Sequence, residues 1–472
     1  MKKREFLAMG GAVPLMLAGC GGNGSGSAPM RLVNASVGYP ELGFMIQSTQ
    51  ITTSDIAYGN ISSFYNVEAG AVGITLTVNG QSATTAQTRT LQKDQRYSLV
   101  AFGYANELKF IPLAESTVVP DTGKANINVL NTSTDIGAVD VYVSSTPDLS
   151  VSTLIAASVS GGIQSAFSGV LATTTTTTGT TNSANYYITV VGANSIAQGI
   201  SDVRFQTPTA ITLTPLEVMT IILTPGVSGV LANAILLTQG TSGTVVDYAN
   251  ATARVRAVTA IPGSSVSVTG LSPVTGSSPL NITLLSASTI PQYSNYFVVS
   301  TGLAPTVTVN GNALTVYQDT STTDATTQVT TTTTGIASLE AGGDYTLMVY
   351  LDPTLGVPTA KVVTDNNTAP VTSSGVKFRL INLASNNQGL QLSMSVNKQS
   401  IATNVPYPTA SAYTEISVPQ AFTSTVDVDN GPETLVSYSS VLTLPNIFTE
   451  IVVGVDPSNG KVLDFFRSSS GT

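Results

Sequence analysis

Apolar and polar residues alternate in short runs along most of the chain. Ile74-Thr75-Leu76-Thr77-Val78 alternates and stops at Asn79-Gly80. Pro305-Thr306-Val307-Thr308-Val309 does the same before Asn310-Gly311, and Thr425-Val426-Asp427-Val428-Asp429 before Asn430-Gly431. A period of two predicts strands with one buried face, and Asn-Gly at the end predicts tight hairpin turns. Val139-Asp140-Val141-Tyr142-Val143 alternates too, whereas Tyr97–Phe102 and Met219–Leu223 are nearly continuous apolar runs. Beyond the N-terminus no long stretch has helical periodicity.

One short strand recurs four times. Its copies are Arg31-Leu32-Val33-Asn34, Asn128-Val129-Leu130-Asn131, Arg256-Ala257-Val258-Thr259 and Arg379-Leu380-Ile381-Asn382. Each opens a block with the same order of signals: opening strand, Tyr-containing strand, hairpin, turn, long apolar strand, closing strand. The expected organisation is a signal peptide at 1–19, a tether at 20–29 and sandwiches at 30–124, 125–250, 251–374 and 375–472. The fold class is all-β, with tandem immunoglobulin-like β-sandwich domains; a small closed barrel satisfies the same signals. Stretches 116–124, 240–250 and 365–374 are rich in turn residues and read as linkers. Threonine runs at 173–178 and 330–334 lack an apolar face and read as loop insertions.

Composition narrows the chemistry. Hydrophobic residues are 42% of the 472, and charged residues only 10%, against about 25% in ordinary soluble domains. Solvent faces must therefore be built from Thr, Ser, Asn and Gln. The net charge is −9 and no basic stripe exists, which argues against nucleic acid as a partner. There is no His and no Trp, and one Cys, Cys20. These absences exclude a Cys/His zinc site, a Ser-His-Asp triad and an internal disulfide. No catalytic residue, cofactor site or metal site is expected.

The N-terminus reads as an address. Lys2-Lys3-Arg4 precedes a short apolar stretch, then Leu17-Ala18-Gly19-Cys20. The stretch is too short to span a bilayer. The four residues resemble a bacterial lipobox, which implies lipidation of Cys20 and anchoring through more than one acyl chain. Lys3-Arg4-Glu5-Phe6-Leu7 resembles a twin-arginine export signal, with Lys in place of the first Arg; the general secretory route is the alternative. Gly21 after the Cys favours the outer membrane. A Gly/Ser tether follows.

Arg31–Ser36, Asn128–Ser133, Val139–Val143 and Arg379–Ser385 resemble the bacterial domain of unknown function 4397 family, from which the third block departs with Thr259 in place of Asn. That resemblance implies a β-sandwich repeat in exported, often lipidated proteins, and brings no catalytic residues with it. Several residues are candidate sites. Asp427 and Asp429 share one strand face, and Asp456-Pro457-Ser458-Asn459-Gly460 has oxygen ligands at alternate positions. A solvated face and a turn are the expected readings. Asn34, Asn131 and Asn382 are expected to capture local backbone and fix a corner of each block. Tyr65, Tyr296 and Tyr413 are expected to pack with one edge wet. Arg31, Arg256 and Arg379 are expected to be partly exposed, their stems covering apolar surface. The function expected is that of a non-catalytic, lipid-anchored envelope protein with an adhesion, surface or scaffolding role. The alternative is a glycan- or small-ligand-binding module assisting an envelope enzyme. A carboxylate-only hydrolase would need two carboxyl groups about 5–9.5 Å apart.

Overall fold

The structure is a computed structural model. It describes residues 26–469 except 106, 177–178, 182, 197–201, 262–264, 271–279, 287–291, 302–305, 324–329, 369, 371–374, 385–390, 419–420, 429–433, 442–445 and 456–461. Cys20 and the lipobox, Asp429, the Asn430-Gly431 turn and the 456–460 turn lie outside the described residues.

Each opening strand is central in its sheet. Its partner on one side is the long apolar strand of the same block, and the two run parallel. Ser27–Ala35 pairs with Tyr97–Phe102, Lys124–Asn131 with Val218–Pro225, Thr252–Thr259 with Asp344–Leu351, and Gly375–Asn382 with Asn446–Val455. On its other side each opening strand meets an antiparallel strand: Tyr65–Glu68, Ser168–Leu171, Phe297–Ser300 and Thr414–Ser417 respectively. The first sheet of every block is therefore mixed, whereas both sheets of an immunoglobulin domain are antiparallel. A second, antiparallel sheet faces it in each block. In the first block that sheet is built on Glu41–Ile46 and Gly70–Val78. In the second it is built on Val139–Ser144 and Ala184–Gly192. Four tandem β-sandwiches result.

Alternation sets which face each side chain takes. In the first sandwich Ala28, Met30 and Leu32 point into the core with Leu42, Phe44, Ile74, Leu76 and Leu99. Equivalent cores fill the other three sandwiches. The hairpins form as their sequences require. Asn79 and Gly80 have φ of 50° and 73°, and Asn310 and Gly311 have 50° and 80°. Positive φ at both central residues matches the strand twist, and Asn and Gly tolerate it.

Two expectations are corrected. The 240–250 stretch is not merely a linker, because Val245–Tyr248 pairs with Ala232–Thr238 as the edge of the second sandwich's first sheet. The threonine runs are strands where they are described. Thr174–Thr176 pairs with Gly179–Thr181, and Thr330–Ile336 pairs with Val316–Thr323, Thr opposite Thr or Ser along much of its length. A β-branched side chain favours the extended backbone even with no apolar face to bury. Strand propensity decides the outcome here.

Candidate functional site

The last residue of the opening motif behaves alike in three of the four blocks. Asn34 Nδ2 donates to the carbonyls of Tyr39 (3.2 Å) and Ile56 (2.9 Å), and Oδ1 accepts from Ser36 N (3.0 Å). Asn131 donates to Gly137 O and Val159 O and accepts from Ser133 N. Asn382 donates to Val405 O and accepts from Ala384 N. In the third block Thr259 Oγ1 accepts from Ile261 N at 3.1 Å and donates to Ile261 O at 3.4 Å, so it captures only the adjoining residue. The asparagines are structural corners, as expected.

A second recurrent device is Ser-x-aromatic: Ser62-Ser63-Phe64, Ser165-Ala166-Phe167, Ser294-Asn295-Tyr296 and Ser411-Ala412-Tyr413. Each Ser Oγ accepts from an opening-strand amide, that of Leu32, Val129, Ala257 or Leu380, at 2.8–3.0 Å. Each also donates to the carbonyl of the residue after it. The serine completes a strand ladder where the neighbouring strand breaks. This repeat shows that the counterpart of Tyr413 is Phe64, not Tyr65. Tyr65, Tyr296 and Tyr413 are all half-buried.

The arginines depart most from expectation. Arg31 is 1% exposed, Arg256 4% and Arg379 2%, so they are not partly exposed residues with wet heads. They face the outside of their own sandwich, and that outside is covered by the next sandwich. Val33, Ala35, Val100, Phe102 and Leu113 of the first sandwich pack on Leu130, Ile222, Ile235 and Leu237 of the second. Val258, Ala260, Met348 and Tyr350 of the third pack on Ile381, Leu383, Tyr407 and Ile451 of the fourth. The sandwiches are thus joined back to back in two pairs, through the same positions of the repeat. This explains why the opening and long strands are apolar on both faces.

Register places a hydroxyl beside each recurrent polar position. Arg31 lies opposite Ser98, Asn128 opposite Thr220, Arg256 opposite Thr346 and Arg379 opposite Thr449. Arg31 Nε donates to Ser98 Oγ at 2.9 Å, and Nη2 to Glu115 Oε1 at 2.8 Å. The same guanidinium crosses the interface to Thr238 O (3.1 Å) and Gly243 O (3.4 Å). Glu115 in turn accepts from Gly240 N at 3.0 Å. Burial pulls the Arg31 guanidinium below its ordinary value, against the pull of Glu115.

The second interface is more highly charged. Arg256 donates to Thr346 of its own sandwich (2.8 Å) and Thr449 of the next (3.2 Å); Arg379 reaches back to Thr346 (3.3 Å) and to Thr364 O (3.0 Å). Asp365 sits between them. It pairs with Arg379, lies 3.5 Å from Arg256 Nε, and accepts from Thr346 Oγ1 (2.7 Å) and the Tyr296 hydroxyl. Burial alone would raise its carboxyl, but Arg379 and Arg256, with those hydrogen bonds, hold it below the usual carboxylate range. Arg254 Nε donates to Asp344 Oδ1 at 2.8 Å. Three buried guanidiniums thus meet two buried carboxylates. Aromatic faces offset part of the excess: Tyr296 lies 4.7 Å from Arg254 and 4.9 Å from Arg256, and Tyr413 lies 4.7 Å from Arg379. A ring's negative face attracts a cation most where water is excluded. Burial pushes the Tyr296 phenol well up, so it stays neutral and donates.

Chemically this arrangement holds rather than reacts. Guanidiniums stay protonated near neutral pH, and the charged groups of the cluster are buried. Asp427 is half-buried on its strand, opposite Ser393 and Thr434. Among the described residues no three His, Cys, Asp or Glu side chains gather as a metal site would need. The acids Glu115, Asp344 and Asp365 carry no local sequence signal; Glu115 and Asp344 lie 84 and 90 residues from their arginines, and Asp365, 14 residues before Arg379, falls in a stretch that reads as a linker.

A family model described as a domain of unknown function (DUF4397) matches residues 28–142. The resemblance carried by the opening strands therefore holds through the first sandwich and into Val139–Ser144 of the second. No curated protein matches the chain. Among solved structures, the Bacillus anthracis TIE protein is similar over 90% of this chain and 67% of its own, at 9% identity and a TM-score of 0.13. The product complex of SpuA, a multi-modular glycogen-degrading pneumococcal virulence factor, is similar over 86% of this chain and 37% of its own, at 8% identity and a TM-score of 0.16.

Proposed function

We propose that this chain is a non-catalytic, lipid-anchored protein of the bacterial cell envelope, held by acyl chains on Cys20 and serving as a scaffold or adhesive surface. The observation that carries the reading is the joining of sandwiches by buried cores and ionic clusters. Such interfaces spend their polar residues on holding domains together, as a spacer or platform requires. Low charge and Thr/Ser-rich faces suit a structure that meets other envelope components without strong electrostatic selection. The lipobox supplies the anchor, and outer-membrane placement follows from Gly21.

The test labels cells with a clickable fatty acid, wild type against Cys20→Ala, then treats intact cells with protease. The reading expects label lost in Cys20→Ala and wild-type chain cleaved on whole cells. Label unchanged by the substitution overturns the anchor. Label lost with the wild type protected moves the protein to the inner side of the envelope and removes the adhesive role. A second reading, a small-ligand module, is favoured by one observation, a cleft between the first two sandwiches.

A further inference from the structure

The two back-to-back pairs are built alike but differ at one end. In the second pair, Tyr350 of the third sandwich meets Tyr407 of the fourth, with ring centroids 5.9 Å apart at 81°. The Tyr407 hydroxyl donates to Leu351 O at 2.8 Å, so the phenol plugs the seam. Register identifies the matching positions in the first pair. Arg256 opposite Thr346 corresponds to Arg31 opposite Ser98, which makes Phe102 the counterpart of Tyr350. Asn382 faces Thr409, and Asn131 faces Ile163, which makes Gly161 the counterpart of Tyr407. The first pair has the aromatic wall but no ring at the Tyr407 position, and Tyr104 of the first sandwich, which also lines the seam there, donates its hydroxyl across it to Asp135.

The place is a cleft of about 410 Å³, lined among others by Phe102, Phe110, Arg89, Lys109 and Glu107, with Thr132–Thr134 opposite. Its size falls in the range of small-molecule sites, about 300–1,000 Å³. The chain cannot fill it from Gly161, since a Cβ there would lie 2.6 Å from Thr134 N. Its rim is cationic. Arg89 stacks 5.6 Å over the Phe110 ring and donates to Gln87 Oε1 at 2.7 Å. Among the described residues neither Arg89 nor Lys109 forms an ion pair. Glu107 sets one negative charge beside them, which disfavours a polyanion.

We infer that this cleft binds a small aromatic monocarboxylate. Its ring takes the place that Tyr407 fills in the sister pair, against Phe102, and its carboxylate meets Arg89 and Lys109. Two sources share this chemistry: a free arylalkanoic acid, or a polypeptide ending in an aromatic residue. The inference is independent of the anchoring reading, because it is tested on purified protein.

The experiment is calorimetric titration of the full-length chain carrying Cys20→Ser. The probes are 3-(4-hydroxyphenyl)propionate, N-acetylglycyl-tyrosine, p-cresol and acetate. Saturable binding of one or both acids is expected, with Kd on the order of 1 mM or tighter. Cresol and acetate should bind at least about tenfold more weakly. Binding by the free acid alone identifies a small-molecule site; equal or tighter binding of the dipeptide identifies a chain terminus. The Arg89→Gln/Lys109→Gln variant, altered at a half-exposed and an exposed residue, should keep its melting midpoint and weaken binding by about tenfold or more. No saturation by either acid at about 10 mM, or affinity unchanged in the double variant, overturns the inference.

Discussion

Replacing Asp365 by alanine removes the anion on which the second interface converges. Arg379 loses its ion pair, Arg256 its nearest carboxylate, and Thr346 and Tyr296 their acceptor. The pocket closes over both guanidiniums, which are 2% and 4% exposed, so water does not replace what is lost. Breaking a buried pair from one side costs about 3–5 kcal/mol, most of it the unpaired charge left behind. For a unit of this size the midpoint should fall on the order of 10 °C. The assay is differential scanning calorimetry of the whole chain, with limited proteolysis during the ramp to assign the transition. The transition carrying the third and fourth sandwiches should move and that of the first two should not. A loss under about 1 kcal/mol would show that water reaches the arginines and that the interface is open.

The same carboxyl makes a pH prediction. Its folded value lies below its ordinary 3.8, so its contribution is complete above that value and is lost as pH falls through the folded one. Acid should erode the second pair below about pH 4, and Asp365→Ala should remove that part of the pH dependence, both read from midpoints across a pH series. Asn128 occupies the arginine position of the second block, is fully buried, and has no hydrogen-bond partner for either amide atom among the described residues. Asn128→Leu should therefore raise stability in urea titration by about 1–3 kcal/mol; a loss would contradict the assignment. Asn131→Ala should lower it by about 2–3 kcal/mol, because Gly137 O, Val159 O and Ser133 N lose their partner inside the corner.

Much of the fold is legible in the sequence, because alternation and Asn-Gly turns act locally. The strands around Asn79 and Asn310 follow from neighbours a few residues apart, and the asparagine corners do so in part, since each accepts from the amide two residues on while its donor side reaches a carbonyl over twenty residues away. The pairing of sandwiches does not. Leu32-Val33 and Val129-Leu130 carry the signal, since adjacent apolar residues on a strand bury both of its faces, yet they do not name the second cover. Arg31 and Arg379 read as surface residues because an arginine is rarely buried unpaired: Glu115 lies 84 residues from Arg31, and Asp365, though only 14 residues before Arg379, sits in a stretch that reads as a linker. Ser-x-aromatic is present in the sequence of all four blocks, but in the first Tyr65 stands directly beside Phe64 and masks the match. The cleft was not visible, since it consists of a missing side chain at Gly161.

The back-to-back pairing is tested most directly by the reactivity of introduced cysteines. In a Cys20→Ser background the chain has no other cysteine. Val33→Cys, Ile222→Cys, Val258→Cys and Ile451→Cys each place one thiol on a docking face. Leu32→Cys marks a sandwich core and Val118→Cys, at 69% exposed, marks the surface. The account predicts that the four docking-face thiols resist maleimide in the native protein as Leu32→Cys does, and react only on unfolding. Reaction at the rate of Val118→Cys, with Leu32→Cys still protected, would mean that the sandwiches are separate beads and would contradict it.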